Sequence, residues 1–188
     1  DLTAFVLLVE PTDPSQPWCI LPWCWLPDDG LADRCQRDRV DYAIWKAQGH
    51  LETTPGRAID KSFVAAALAQ ISGEYNVIGV SYDRWRIEDL KMLMTQEGVE
   101  LPLVPFGQGF RDMSPAIDSL ESNLLNGRVR HGMHPILTWN AANAVRPRAA
   151  TIVHNAMIVA HSVTTVRNAM NAAPATTARA ISFHMKPE

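Results

Sequence analysis

Short apolar runs separated by turn residues make up the first part of the chain. The runs LTAFVLLV (2–9) and WCILPWCWLP (18–27) are rich in strand-favouring residues, and the segment EPTDPSQP between them has the composition of a turn. Pro22 and Pro27 cannot donate a hydrogen bond to a β-ladder, so the second run is predicted to lie at a sheet edge or to bend. The pattern therefore begins with two strands.

Helical and strand patterns then alternate along the chain. Residues 28–49 are predicted to be helical or irregular, and HLETTPGRAID (50–60) is predicted to hold a short strand and a Pro-Gly turn. The later predicted elements are a helix at 61–72 stopped by Gly73, a buried strand at 75–83, a helix at 86–97 stopped by Gly98, a strand at 99–107 and a helix at 114–125. Strands followed by alternating helices and strands predict an α/β layered domain.

The helix at 114–125 carries the clearest boundary signals of the chain. Ser114 is predicted to be its N-cap and Pro115 its first helical residue, because serine accepts from free backbone N–H groups and proline lacks one. The pair Asn126-Gly127 is predicted to end it.

Composition and charge are those of an ordinary soluble domain. The chain has 188 residues, of which 47% are hydrophobic and 20% charged, with a net charge of -3. That length favours one domain with a full core, and that charge does not by itself indicate nucleic-acid binding. No apolar run is long enough to span a membrane, and no signal peptide is visible. The chain opens directly in a strand pattern, so it is expected to be a fragment.

Several motifs occur in a specific order. They are a tryptophan-rich strand, D-x-Y-x-x-W, T-P-G-x-x-x-D, Y-D-R-W, Q-G-F-x-x-M-S-P and H-x-x-x-P-x-x-x-W-x-x-N, all between residues 18 and 143. In this order they resemble the C-terminal nuclease domain of the terminase large subunit of HK97-like tailed phages. The resemblance implies an RNase H-like mixed sheet flanked by helices, incomplete at the N-terminus and irregular at the C-terminus. It also implies a metal-dependent endonuclease that cuts concatemeric double-stranded DNA during genome packaging.

The resemblance implies a metal site built from acidic side chains. Two Mg²⁺ or Mn²⁺ ions can activate water and stabilise charge in phosphodiester hydrolysis, and both ions prefer oxygen ligands. Of the three acidic positions in the family, only the one at the end of the Y-D-R-W strand maps onto this sequence, at Asp83. Asp1 matches a residue that flanks the first position, and the third falls where this chain has no acid.

Two interpretations of Asp83 compete. From local sequence alone, an aspartate before a helix is most often an N-cap. With family motifs on both sides, Asp83 is predicted to be the catalytic metal ligand. Asp60, which also precedes a helix, is predicted to be a cap.

Basic residues near the later motifs are candidates for contacts with DNA or with the active-site cleft. They are Arg84, Arg128, Arg130 and His131. Arginine can neutralise backbone phosphate. A solvated loop is the simpler interpretation of 128–131.

The end of the chain differs from the rest. No Asp or Glu occurs between Glu121 and Glu188, as a shifted reading frame or a degenerate gene end would produce. Residues 1–145 are therefore predicted to form the nuclease domain, and 146–188 an aberrant or poorly ordered tail.

The resemblance also implies partners and a location: double-stranded phage DNA, the terminase small subunit and the portal, in the host cytoplasm during phage assembly. Because only one of three expected carboxylates is identified, activity of this fragment stays open. The alternative is a non-catalytic α/β remnant or interaction module that lacks a complete metal site.

Overall fold

A computed structural model of the chain describes residues 2–83, 87–107, 109–143 and 158–160, with the backbone alone for Asp83 and 158–160. The strands are β1 (Thr3–Val9), β2 (Trp18–Pro27), β3 (Glu52–Thr54), β4 (Val80–Asp83), β5 (Leu103–Phe106), β6 (Val129–Arg130) and β7 (Ile158–Ala160). The helices are α1 (Leu31–Asp38), α2 (Tyr42–Ala47), α3 (Lys61–Glu74), α4 (Ile87–Gln96), α5 (Phe110–Leu125) and α6 (Pro135–Ala142). This order confirms the predicted α/β class.

The strands form one mixed sheet and one parallel pair. In the mixed sheet the order is β3-β2-β1-β7, with β1 antiparallel to β2 and parallel to β7. β6 pairs in parallel with the beginning of β2, and β3 pairs in parallel with its end. β4 and β5 form the separate parallel pair, and β4 lies against β7.

The predicted edge position of β2 is wrong for the two ends of the strand. β2 pairs with β1 from Cys19 to Trp25, and with β3 and β6 on its other side. These two short strands contact only the ends of β2, so Pro22 lies in the stretch between them. A proline is tolerated inside the sheet here because no ladder on that side passes its position in the described part of the chain.

Two hydrophobic cores lie on opposite faces of the mixed sheet. Alternate side chains of a strand face opposite sides, and Phe5 and Leu7 are buried on one face while Ala4 lies on the other. The first core combines Phe5, Leu7 and Trp25 with Val64, Ala65, Leu68 and Ile71 of α3, Val80 of β4, Met94 of α4 and Val99. The second combines Cys24, Leu26, Val40, Tyr42, Leu51 and Ile136. The helices therefore cover both faces of the sheet.

Several boundaries differ from the predicted ones. α3 continues through Gly73 to Glu74, and β4 starts only at Val80, where its pairing with β5 begins. α5 starts one turn before the predicted cap, because Gly109 is its N-cap and the N–H of Met113 already donates to the carbonyl of Gly109. Ser114 is thus inside α5 and not its N-cap.

Candidate active site

Asp83 is the last residue of β4, as the sequence predicts. In the parallel pair its Cα faces that of Phe106, the last residue of β5. The carboxyl ends of parallel strands meet at one edge, where ligand sites of α/β sheets usually lie. The side chain of Asp83, and Arg84 altogether, fall outside the residues that the structure describes.

The N-termini of two helices come together at this same edge. α4 starts at Ile87, shortly after Asp83, and its first turn carries Glu88 and Asp89. The Nζ atom of Lys61, the first residue of α3, lies 2.8 Å from the Oδ2 atom of Asp89. This ion pair joins the start of α3 to the start of α4 beside the end of β4.

Asp60 is the N-cap of α3, as predicted. Its Oδ1 atom accepts hydrogen bonds from the backbone N–H of Ser62 at 2.9 Å and from the Ser62 hydroxyl at 2.6 Å. These two hydrogen bonds, the side-chain one first, hold the pKa of Asp60 below its ordinary value because they stabilise the carboxylate. The cap role therefore accounts for this carboxylate.

Thr54 fixes the loop that connects β3 to α3. Its side chain is completely buried, and its Oγ1 atom accepts from the N–H of Asp60 at 3.1 Å. Its carbonyl accepts from the N–H of Asp28 at 2.9 Å, and the carbonyl of Gly56 accepts from the N–H of Asp29 at 3.2 Å. The loop is held at both ends, and Arg57 is exposed in its middle.

A second loop reaches this edge from β5. After Phe106 the chain passes through Gly107 and Gly109 into the first turn of α5, where Arg111 is exposed. Apart from its chain neighbours and the backbone of its own helix, a Cβ atom added at Gly109 would meet nothing within 4 Å, so the described surface at this point is open. Local sequence patterns do not indicate that Arg57 and Arg111 lie near Asp83, because their positions depend on which strand ends meet.

The acidic and other metal-binding side chains of the described residues are not gathered into one site. Within 2–83, 87–107, 109–143 and 158–160, no group of three or more His, Cys, Asp or Glu side chains could hold a metal ion. Asp28 pairs with Lys46, and Asp89 pairs with Lys61. The described side chains thus do not supply the carboxylate set that the resemblance implies; Asp1 lies outside them.

Arg128, Arg130 and His131 lie elsewhere in the fold. β6 pairs with Trp18 and Cys19 at the beginning of β2, and Arg128 accepts a backbone hydrogen bond from Trp18 at 2.9 Å. β2, β1 and β7 lie between this strand and β4. The structure therefore does not bring these three residues together with Asp83.

His131 lies instead next to His134 along the chain, and its carbonyl accepts a hydrogen bond from the N–H of His134 at 3.2 Å. The rings of His50 and His134 meet edge to face with their centroids 4.9 Å apart. The Nδ1 atoms of His131 and His134 are buried without a hydrogen-bond partner in the described part of the chain. Burial, followed by the neighbouring His50, lowers the pKa of His134 to about 4, so this ring is neutral at physiological pH.

Comparison with known proteins identifies relatives of the chain. The model of the family "Terminase large subunit, endonuclease domain" matches residues 15–171. The terminase large subunit of Enterobacteria phage HK97 is 49% identical over 145 residues, which are 77% of this chain and 28% of that protein. The crystal structure of the HK97 bacteriophage large terminase matches with a TM-score of 0.72 at 49% identity, covering 77% of this chain and 30% of that chain. The chain thus spans less than a third of the length of these relatives.

Proposed function

Because the chain belongs to the family of terminase large-subunit endonuclease domains, we propose that it is a metal-dependent endonuclease domain that cuts concatemeric double-stranded phage DNA. The supporting observation is the position of Asp83 at the end of β4, where it meets the end of β5 and the starts of α3 and α4. An acidic residue at such an edge can bind a hard cation beside a bound DNA strand.

Asp83 is proposed to be both the catalytic residue and a metal ligand, with Mg²⁺ or Mn²⁺ as the cation. Such an ion, when bound, would activate water and stabilise negative charge on the phosphate. The described residues of the protein contribute by holding the end of β4 in position. The Lys61–Asp89 ion pair and the parallel register of β4 with β5 fix the strand end that carries Asp83.

Family membership extends the proposal to binding partners and to a location in the host cell. In a complete terminase the domain would act with the small subunit and the portal, in the host cytoplasm during phage assembly. Arg84, Arg128, Arg130 and His131 stay candidates for contacts with DNA. Among the described residues, no helix is both long and apolar enough to cross a membrane.

A plasmid-nicking assay tests the proposal. The 188-residue chain is incubated with supercoiled plasmid in Mg²⁺, in Mn²⁺ and in EDTA, beside the variants Asp83→Asn and Asp41→Asn. Asp41 is a matched control, because it is an exposed aspartate that precedes a helix and makes no side-chain capping hydrogen bond. We expect metal-dependent nicking by the parent and by Asp41→Asn, and a loss of at least about 100-fold in Asp83→Asn.

Two results would contradict the proposal. Equal nicking by Asp83→Asn, with the unfolding temperature of the parent, would remove Asp83 from the site. A folded parent chain that cuts in neither metal would favour the non-catalytic interaction module over an autonomous nuclease.

A further inference from the structure

The basic side chains near the Asp83 edge differ in how far they are neutralised. Lys46 and Lys61 each form an ion pair with a carboxylate, Asp28 and Asp89 respectively. Arg57 and Arg111 are exposed, and within the described part of the chain neither forms an ion pair or a side-chain hydrogen bond. Among the described residues of this edge, the uncompensated positive charge is therefore carried by the guanidinium groups of Arg57 and Arg111.

Their two loops stand on either side of the strand that ends in Asp83. Arg57 lies in the loop between β3 and α3, and the start of α3 is joined to the start of α4 through Lys61 and Asp89. Arg111 lies in the first turn of α5, directly beyond the end of β5, the partner of β4. β4 thus carries Asp83 between the two arginine-bearing loops.

We propose that Arg57 and Arg111 contact the phosphate backbone of double-stranded DNA on the two sides of Asp83 and orient the duplex across this edge. The inference rests on the proposed nuclease function and adds two substrate contacts to it. Neighbouring strands are about 4.8 Å apart, and five such intervals lie between β3 and β5 in the order β3-β2-β1-β7-β4-β5. The loops that follow these two strands are therefore separated by roughly 24 Å. That separation is too large for one shared phosphate, so each arginine contacts a different part of the backbone.

Local geometry favours this role. The loop of Arg57 is held by Thr54, so little conformational entropy is lost when it binds. The turn before Arg111 passes through Gly109, where no side chain obstructs the approach of a DNA backbone. Carboxylates do occur nearby, at Asp29 and Asp112, but neither pairs with an arginine in the described residues. Arginine suits the task because its planar guanidinium can donate two hydrogen bonds to one phosphate.

Salt-dependent DNA binding tests the proposal. A fluorescent 30-base-pair duplex is titrated in EDTA with the 188-residue chain and with Arg57→Ala, Arg111→Ala and the double variant. The matched control is Arg37→Ala, because Arg37 is exposed but already paired with Asp38 at the end of α1. Losing one phosphate contact should weaken binding about eightfold at 0.1 M salt and about threefold at 0.3 M salt, since the slope of log K against log salt changes by about 0.9 per contact.

We expect each single variant to lose about one unit of salt slope, the double variant about two, and Arg37→Ala none. A parent that does not bind the duplex, or arginine variants that bind like Arg37→Ala, would overturn the inference. These outcomes are separate from the nicking test. Arginine variants that bind normally while Asp83→Asn alone abolishes nicking would leave the nuclease function in place and remove only the two contacts.

Discussion

At the scale of single residues, the environment of His134 opposes the charged form of its ring. Its Nδ1 atom is buried without a partner in the described structure, and the ring of His50 lies 4.9 Å away. The folded-state pKa of about 4 is below the ordinary value of 6.5, so the unfolded chain binds more protons between these values. The contribution of neutral His134 to the stability of the folded state is therefore complete above pH 6.5, and it is lost as the pH falls toward 4.

The corresponding prediction concerns His134→Gln, which keeps a polar side chain but cannot gain a charge. Because the ring of His134 is only half-buried, we expect the parent to lose about 1–2 kcal/mol of unfolding free energy between pH 7 and pH 4.5, and the variant much less. Urea unfolding at these two pH values measures the difference. The carboxylates whose pKa values are lowered, such as Asp60, are the same in both proteins. Their contribution, which is lost as the pH falls below about 5, therefore cancels in the comparison. Parallel pH dependence in both proteins would contradict the prediction.

At the scale of elements, α3 and α5 look alike in sequence but differ in packing. Both carry apolar residues at helical spacing. α3 buries Val64, Ala65, Leu68 and Ile71 against the sheet, whereas α5 buries no residue. Leu124 of α5 is 48% exposed, and Leu68 of α3 is 4% exposed. The two helices should therefore contribute very differently to stability.

We expect Leu68→Ala to cost about 2–5 kcal/mol of unfolding free energy, because it leaves a cavity in the first core. Leu124→Ala should cost less than about 0.5 kcal/mol, since it removes a partly exposed surface side chain. The two variants make the same chemical change in helices of the same chain, so each controls the other. Equal losses in chemical denaturation would mean that α5 is packed as tightly as α3.

This pair also explains how far the sequence predicts the fold. Periodicity and turn residues predicted both helices and the α/β class, because those signals are local. Whether a helix is buried, or whether β2 has partners on both sides, depends on distant segments such as β3 and β6. The predicted start of α5 is wrong because Gly109, with no side chain to accept a hydrogen bond, gives a weaker signal than Ser114.

The same limit applies to the candidate site. Asp83 could be placed at a strand end from its own neighbourhood, since an apolar run stops there. Arg57 could not be placed at this edge from the sequence. Its position depends on the hydrogen bonds that link Thr54 to Asp28 and to Asp60, and no local motif indicates these hydrogen bonds. The distance between His131 and the end of β4 likewise depends on the order of strands in the sheet, which no local motif encodes.

At the scale of the whole molecule, the described cores are built from the first part of the chain. Every residue of both cores, including the partly buried ones packed against them, lies between Leu2 and Trp139. Beyond residue 145 the described part consists of β7, which pairs with Thr3, Ala4 and Phe5 of β1. Most of residues 146–188 lie outside the described part, so the division into a domain of 1–145 and a tail stays a proposal.

Truncation tests this division. A chain ending at residue 145 keeps both described cores and loses, among the described contacts, those of β7 with β1 and β4. We therefore expect cooperative unfolding with a stability lowered by about 1–3 kcal/mol. A chain ending at residue 171, where the family match ends, keeps β7 and should match the parent. Urea unfolding followed by tryptophan fluorescence compares the three chains, because buried Trp25 reports on the first core. The contrary result is a chain of 145 residues without a cooperative transition beside a chain of 171 residues that has one. The segment after residue 145 would then be part of the folding unit, because β7 would be needed to hold β1 beside β4.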